Sequence, residues 1–254
     1  MENLEKQLQR ATKLAKEQNG AILVITEGVF GMSGNQGKLQ EIVNLKRDYS
    51  FRLFVDDAHG IGTMGATGAG TGEAQGVQDD IDIYFGTFAK SFASIGAFIA
   101  GDEDMVRYLR YNMRSQIFAK SLPMPLVVGA RKRLKMMKTM PELKDQLWTI
   151  ANALQKGLVN AGFNIGTTNT QVTPVILEGG LGEATNLTLD LRENHSLFCS
   201  IVVYPVIPRG MIILRLIPTA MHTLEDVNYT IETFTKVKSK LEAGEYKSDE
   251  IAAV

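Results

Sequence analysis

The fold is indicated most clearly by two segments, Ala21-Ile22-Leu23-Val24-Ile25-Thr26 and Arg52-Leu53-Phe54-Val55-Asp56. Both are short, nearly continuous apolar runs of strand length, the pattern typical of parallel strands that are buried on both faces. A glycine-rich turn and a helical pattern over about residues 38–49 lie between them, so the segment predicts a strand–helix–strand unit. Two further apolar runs, at 81–86 and 94–100, predict two more strands.

The remaining pattern predicts an α/β protein with two domains. Residues 1–140 carry the mainly parallel sheet and form the predicted large domain, whereas residues 141–254 form a smaller C-terminal α/β domain. The change falls at Pro141, after which a long helical pattern gives way to short strands at about 172–177, 200–204 and 211–216. Thr223 and Asp226 form a capping-box pattern, which predicts the start of the last helix.

Composition and charge exclude several classes of protein. The net charge of −1 over 254 residues gives no basic excess of the kind that nucleic-acid binding requires, and the basic run 131–138 predicts a solvated helix face. No apolar stretch reaches the about 18 residues of a membrane span. The single cysteine, Cys199, excludes an internal disulfide and a cysteine-based metal site, and no histidine spacing predicts a metal either. A buried, inert thiol and a reducing compartment, the cytoplasm, are expected.

Polar clusters follow two of the predicted strands, Val55-Asp56-Asp57-Ala58-His59-Gly60 and Gly86-Thr87-Phe88-Ala89-Lys90-Ser91. Ligands of open α/β sheets bind at the carboxyl ends of the strands, so we expect these clusters to lie at one edge. An imine-forming aldehyde cofactor needs a lysine, a carboxylate for its ring nitrogen, a donor for its phenolic oxygen and hydroxyls for its phosphate. Lys90, Asp56, His59 and either Thr87 or Ser91 have the required chemistry, in that order.

Each of these residues also has a simpler interpretation. The pair Asp56-Asp57 is compatible with a helix cap or a magnesium site, His59 with a hydrogen-bonded loop histidine, and Lys90 with a solvent-facing side chain. The stretch Gly68-Ala69-Gly70-Thr71-Gly72 lacks the spacing of a dinucleotide loop and has no buried strand leading into it, which argues against nucleotide binding.

Arg215 lies within the otherwise apolar run Ile212-Ile213-Leu214-Arg215-Leu216-Ile217. A charged group in such a strand needs a partner. Two partners are compatible with the sequence: a substrate carboxylate, which would bind the guanidinium in a bidentate manner, or a structural salt bridge between the domains.

Taken in order, the motifs resemble those of the α-oxoamine synthase family of fold-type I pyridoxal phosphate enzymes. The resemblance implies condensation of an amino acid with an acyl-CoA and loss of carbon dioxide, with pyridoxal 5′-phosphate as the cofactor. It extends over nearly the whole chain and rests on these segments: Thr26-Glu27-Gly28-Val29-Phe30-Gly31-Met32, Val55-Asp56-Asp57-Ala58-His59-Gly60, Gly65-Ala66-Thr67-Gly68, Thr87-Phe88-Ala89-Lys90-Ser91, Phe118-Ala119-Lys120-Ser121-Leu122-Pro123 and 215–223.

The resemblance also implies a role for individual residues. Lys90 would form the imine with the cofactor, Asp56 would pair with the pyridinium nitrogen and His59 would hydrogen-bond the phenolic oxygen. Thr87 would bind the phosphate, and Arg215 would hold the carboxylate of the amino acid. Because the family forms homodimers with shared sites, the loop around Ala119 and Ser121 would approach the phosphate in the neighbouring subunit.

Within the family, segments 201–210 and 114–119 look most like soluble bacterial serine palmitoyltransferases. This resemblance implies L-serine and palmitoyl-CoA as substrates and 3-ketodihydrosphingosine as the product. Two alternatives stay open. One is a sibling reaction, as in 8-amino-7-oxononanoate synthase or glycine C-acetyltransferase, and the other is a non-catalytic truncated partner subunit.

The chain departs from the family pattern in two ways. Gly31 stands where many relatives have serine, and the segment matching Met1 to Gly20 follows a long N-terminal portion in relatives. In those relatives that portion carries dimer contacts, a phosphate loop and the histidine that stacks on the cofactor ring. We therefore expect an incomplete large-domain sheet, in either a fragment of a longer enzyme or a truncated paralogue.

Overall fold

The computed structural model describes residues 1–247 and divides into two compact units. The first comprises Met1–Phe30 and Gln36–Pro141, and the second comprises Gly31–Asn35 and the residues from Glu142 onward. The short segment Gly31–Asn35 belongs to the second unit because the hydroxyls of Thr168 and Thr170 donate to the carbonyl of Gly34, at 3.0 and 2.8 Å. The predicted second domain extends to residue 254, of which 248–254 lie outside the described residues.

The first unit contains six α-helices and four strands within its described residues. In chain order they are α1 (Glu2–Glu17), β1 (Leu23–Glu27), α2 (Leu39–Asn44), β2 (Arg52–Asp56), α3 (Thr71–Ala74), β3 (Ile83–Thr87), β4 (Ala97–Gly101), α4 (Glu103–Asn112), α5 (Arg114–Phe118) and α6 (Met124–Thr139). The helix expected over about 38–49 is shorter, because after Asn44 the chain tightens into a 3-10 turn at Leu45–Arg47. The two shortest helices, α3 and α5, have too few turns to show a periodic apolar pattern.

The sheet of the first unit has the order β1-β2-β3-β4, with β1 to β3 parallel and β4 antiparallel to β3. Its closed face packs against α1 and α2 through a core that includes Leu8, Val24, Leu39, Ile42, Leu53 and Val55. The other face, here called the open face, carries Leu23 and Ile25, which are 50% and 66% exposed. Phe54 and Phe85 also lie there, stacked with ring centroids 6.4 Å apart.

The second unit is built on an antiparallel sheet of order β5-β7-β6. Its elements are α7 (Pro141–Asn160), β5 (Thr173–Glu178), α8 (Leu181–His195), β6 (Ser200–Val202), β7 (Met211–Leu216) and α9 (Leu224–Glu242). Helices α7, α8 and α9 pack against one face of β7 and form one core. The core includes Leu154, Leu158, Leu187, Leu191, Ile212, Leu214 and Phe234. Alternation along the strand places Arg215 on the other face of β7.

Two local predictions in the second unit are confirmed. Thr223 Oγ1 accepts a hydrogen bond from the Asp226 amide at 3.2 Å, and the Asp226 carboxylate accepts one from the Thr223 amide at 2.7 Å, which is the predicted capping box. Cys199 is only 7% exposed, and burial raises the pKa of its thiol to about 11. The thiol therefore stays protonated and unreactive at neutral pH. Over residues 1–247, no helix has the length and apolar character needed to cross a membrane.

A buried carboxylate joins α8 to the end of the described chain. Asp190 accepts hydrogen bonds from Lys240 at 2.8 Å, Tyr246 at 2.5 Å and Asn194 at 2.7 Å. Burial alone would raise the pKa of Asp190, but these three hydrogen bonds outweigh it and lower the pKa to about 2. The ionised carboxylate thus stabilises the fold above its ordinary pKa of about 3.9, and this contribution fades as the pH falls from about 4 toward 2.

We expect Asp190→Ala to lower the free energy of unfolding at pH 7 by about 1–3 kcal/mol, because the buried Tyr246 hydroxyl would lose its acceptor. Denaturant unfolding of wild type and variant at several pH values measures this, and the difference should narrow below about pH 4. Asp145→Ala is the control. That carboxylate is 72% exposed, and its contact with the neighbouring lysine is long, at 3.8 Å, so its removal should change the stability little. Equal stability of Asp190→Ala and wild type at pH 7 would contradict the account.

Candidate active site

Asp56 is the last residue of β2 and lies on the open face. It is in register with Glu27 of β1 on one side and Phe85 of β3 on the other. The side chain is half-buried, and its Oδ1 accepts a hydrogen bond from the amide of Ala58 at 3.0 Å. No cationic side chain within residues 1–247 pairs with this carboxylate. Asp56 is therefore a half-buried negative charge without a positive partner in the described chain.

His59 lies in the loop directly after β2, three residues beyond Asp56. The loop is held by backbone hydrogen bonds from the amides of Gly60 and Ile61 to the carbonyl of Asp57, both 3.0 Å. The Thr63 hydroxyl donates to the carbonyl of His59 at 2.9 Å and fixes the backbone there. These hydrogen bonds form a tight turn at the end of the strand, which fixes the position of His59. The residue is half-buried.

Thr87 ends β3, and Lys90 lies in the turn that joins β3 to β4. The Thr87 hydroxyl donates to the carbonyl of Gly96 at 3.2 Å and accepts from the amide of Ala89 at 3.1 Å. The turn closes through a hydrogen bond from the Ala93 amide to the Lys90 carbonyl at 2.8 Å. Lys90 itself is exposed at the surface of the first unit.

The structure brings the two predicted clusters together at the carboxyl edge of the sheet. Asp56 and Phe85 are in register on adjacent strands, which lie about 4.8 Å apart. Thr87 follows Phe85 by two residues and so lies on the open face with Asp56. The Ser91 hydroxyl donates to the carbonyl of Ile61 at 2.8 Å and joins the turn of Lys90 to the loop of His59. An acid, an imidazole, a hydroxyl and a lysine thus share one edge.

Ala119 and Ser121 lie in the segment between α5 and α6, and both are exposed. Lys120 between them has a positive φ of 69°, which turns the chain sharply at this point. The following residue, Leu122, packs so close to Gly96 that a Cβ on that glycine would lie 2.9 Å from the leucine side chain. The segment is therefore held beside the turn that carries Lys90, while its two small residues stay accessible.

Arg215 belongs to β7 of the second unit. One of its terminal nitrogens donates to the carbonyl of Gly31 at 2.9 Å and approaches the sulfur of Met32 at 3.7 Å. Its Nε is buried and has no hydrogen-bond partner. No acidic side chain in the described part of the chain pairs with the guanidinium, so the structure shows no salt bridge for Arg215. A partly buried cation with an unused donor is suited to bind an anion.

The structure separates the two aspartates of the pair Asp56-Asp57, which the sequence patterns left together. Asp57 follows Asp56 but is completely buried, and its carboxylate accepts hydrogen bonds from Thr71 and Tyr84. Burial raises the pKa of Asp57, and those hydrogen bonds oppose the rise. The alternation of side chains along a strand was the available signal, because it places two consecutive aspartates on opposite faces of the sheet.

A family model for aminotransferase class I and II matches residues 1–234. The chain belongs to this family. Membership confirms the predicted fold class, a fold-type I pyridoxal phosphate transferase with a mainly parallel sheet.

Relatives of this aminotransferase-family chain include several acyltransferases. A cysteate-C-fatty acyltransferase from Capnocytophaga ochracea is 62% identical over 248 residues, which are 98% of this chain and 59% of that protein. A serine palmitoyltransferase from Sphingobacterium spiritivorum is 34% identical over 222 residues, which are 87% of this chain and 55% of that protein. The chain therefore spans less than two thirds of the length of these relatives.

Solved structures of the family show the same fold. A serine palmitoyltransferase from S. paucimobilis with a bound PLP–myriocin aldimine matches with a TM-score of 0.87 and 31% identity, over 95% of this chain and 60% of that one. A serine palmitoyltransferase with a PLP internal aldimine matches with a TM-score of 0.82, over 88% of this chain and 56% of that one. These matches confirm the resemblance to α-oxoamine synthases and pyridoxal phosphate as the family's cofactor. The relatives named above act on different amino acids, cysteate in one and serine in another.

Proposed function

We propose that the enzyme to which this chain contributes condenses an α-amino acid with an acyl-CoA and depends on pyridoxal phosphate. A bond forms between the α-carbon and the acyl carbonyl carbon, the thioester bond breaks to release CoA, and the carboxylate leaves as carbon dioxide. The observation that carries this proposal is the Asp56 carboxylate, which forms no salt bridge within the described residues and shares its edge of the sheet with Thr87 and Lys90. A half-buried carboxylate of this kind is suited to a positive partner, and the protonated ring nitrogen of the cofactor is one.

The residues at this edge fit the other groups of the cofactor. The loop after β2 carries His59, which would hydrogen-bond the phenolic oxygen. Thr87 would hold the phosphate together with backbone amides of its turn. Lys90 is exposed and its backbone is fixed, so its flexible side chain would reach the aldehyde and attach the cofactor covalently.

When bound, the cofactor would act as an electron sink for the charge that develops on the substrate's α-carbon. Asp56 would keep the ring nitrogen protonated, since an ionised carboxylate beside it favours the positive form. The amine of Lys90 would take the proton from the α-carbon of the substrate. Arg215 would bind the substrate carboxylate through its Nε and a terminal nitrogen, which supplies the partner that the described chain lacks.

A homodimer is part of this proposal. The exposed segment containing Ala119 and Ser121 would approach the phosphate in the neighbouring subunit. Large apolar side chains of α4 and α5 are also exposed, among them Tyr108, Tyr111 and Phe118 at 65%, 72% and 69%. Exposed apolar patches of this kind are typical of surfaces that bind another protein chain.

The amino acid is the finer part of the proposal. Identity of 62% over 98% of the chain to a cysteate-C-fatty acyltransferase, against 34% over 87% to a serine palmitoyltransferase, favours L-cysteate over L-serine. L-serine with palmitoyl-CoA, giving 3-ketodihydrosphingosine, is the second candidate, supported by the likeness to serine palmitoyltransferase structures.

Titration of the full-length enzyme with amino acids tests both parts of the proposal. We expect L-cysteate to change the visible absorption of the bound cofactor at about tenfold lower concentration than L-serine, a preference worth about 1.4 kcal/mol. L-alanine is the matched control, because it has the same backbone without the sulfonate or hydroxyl. A response to serine at the lower concentration would assign serine instead. No response to any amino acid would overturn the proposed function.

A further inference from the structure

The carboxylate of Asp57 is the most enclosed polar group at the carboxyl edge of the sheet. The residue is 0% exposed. Its Oδ2 accepts hydrogen bonds from the Thr71 amide at 2.6 Å and the Tyr84 hydroxyl at 2.9 Å, and its Oδ1 accepts one from the Thr71 hydroxyl at 2.7 Å. Three donors from two segments thus satisfy a carboxylate that has no contact with solvent.

Three glycines complete the enclosure. A Cβ on Gly28 or on Gly60 would lie 2.0 Å from Asp57 Oδ1, and one on Gly70 would lie 2.1 Å from Oδ2. Real Cβ atoms do not come so close, so only glycine allows the backbone to approach the carboxylate here. Gly28 follows β1 directly, whereas Gly60 and Gly70 lie near the start and at the end of the loop 57–70 that joins β2 to α3.

The backbone around Asp57 is hydrogen-bonded to β3 on one side and to the residue after β1 on the other. Its amide donates to the carbonyl of Phe85 at 2.9 Å, and the amide of Gly28 donates to the carbonyl of Asp56 at 2.8 Å. Because successive side chains point to opposite faces, Asp57 points to the closed face, whereas Asp56 points to the open face. The inner carboxylate therefore fixes the same stretch of backbone that carries Asp56 and, two residues further on, His59.

We propose that Asp57 is a positioning residue for cofactor binding, acting through Asp56 and His59. This inference rests on the proposed function. By joining the start of α3 to Tyr84 of β3 at the beginning of the loop 57–70, the carboxylate sets the direction in which Asp56 and His59 face the ligand. A supporting residue of this kind changes how well the site is aligned, without touching the ligand itself.

The variants Asp57→Asn and Thr71→Val in the full-length enzyme test the proposal. Asp57→Asn keeps the shape but removes the charge, and Thr71→Val removes one donor. We expect each to weaken the binding of pyridoxal phosphate by about tenfold and to shift its protein-bound absorption band, in line with the usual effect of supporting residues. Thr71→Ser keeps the hydroxyl and should restore both values. Thermal unfolding is recorded in parallel.

The control is Ile42→Val, which trims a buried side chain on the closed face. It should lower the unfolding temperature and leave both cofactor affinity and absorption band unchanged. If Asp57→Asn does not fold, Thr71→Val and Thr71→Ser decide the question. Suppose that the wild type shows an absorption band that depends on Lys90. Unchanged cofactor affinity and absorption in the variants would then overturn the positioning role of Asp57 alone. Absence of that band in the wild type would overturn the proposed function together with this inference.

Discussion

Lys90→Ala is expected to bind pyridoxal phosphate without a covalent link and to lose condensation activity by about a thousandfold or more, because covalent attachment and proton transfer at the α-carbon both depend on this amine. Among the residues that form the β3–β4 turn, Lys90 is the one with a side-chain amine. The measurement is the absorption spectrum of the purified full-length variant with added cofactor, together with the rate of product formation.

Lys132→Ala is the matched control for this substitution. Lys132 is exposed on α6 and outside the edge that carries Asp56 and Thr87, so its removal should leave spectrum and rate unchanged. A Lys90→Ala enzyme with wild-type spectrum and rate would contradict the assignment. A wild type without activity under conditions that bind cofactor would support the alternative of a non-catalytic partner subunit.

Arg215→Ala should weaken binding of the amino acid while leaving cofactor binding intact. A hydrogen bond to a charged group contributes about 1.5–3 kcal/mol, so loss of the guanidinium should raise the dissociation constant for the amino acid by about 10–150-fold. Arg215→Lys should recover only part of the affinity, because an ammonium group does not reproduce the planar fork of a guanidinium. Titration of the cofactor's absorption with amino acid measures both variants.

The control for Arg215 is Arg192→Ala in the same unit. Arg192 is half exposed and pairs with Glu193 next to it in the chain. Its removal should not change the dissociation constant. An Arg215→Ala enzyme that binds the amino acid as tightly as wild type would rule out the carboxylate role, and a simultaneous loss of cofactor binding would point to a structural role instead.

Much of the fold was predictable because its elements have strong local signals. The strands Arg52–Asp56 and Met211–Leu216 begin and end where the apolar patterns predict. The strand predicted at 200–204 ends at Val202, because the chain turns there and the Val203 carbonyl accepts a hydrogen bond from the Val206 amide at 3.1 Å. Local patterns also carry no information on Gly31–Asn35, whose place in the second unit depends on hydrogen bonds to Thr168 and Thr170.

The site was predictable to the extent that strand ends determine it. Asp56 and Thr87 share an edge and a face because they end neighbouring parallel strands, a consequence of topology alone. Strand alternation predicts that Asp57 faces away from Asp56, but its complete burial was not predictable, because it depends on Gly28, Gly70 and Thr71, which are distant in the sequence. The missing ion pair of Arg215 likewise depends on which side chains the fold brings near it.

The most direct test of the account is to identify the residue that holds the cofactor. The full-length enzyme is loaded with pyridoxal phosphate, reduced with borohydride and digested, and the modified peptide is located by mass spectrometry. We predict the phosphopyridoxyl group on Lys90, within the peptide that follows β3. Modification of another lysine, or no modification of an enzyme that has bound the cofactor, would contradict the account.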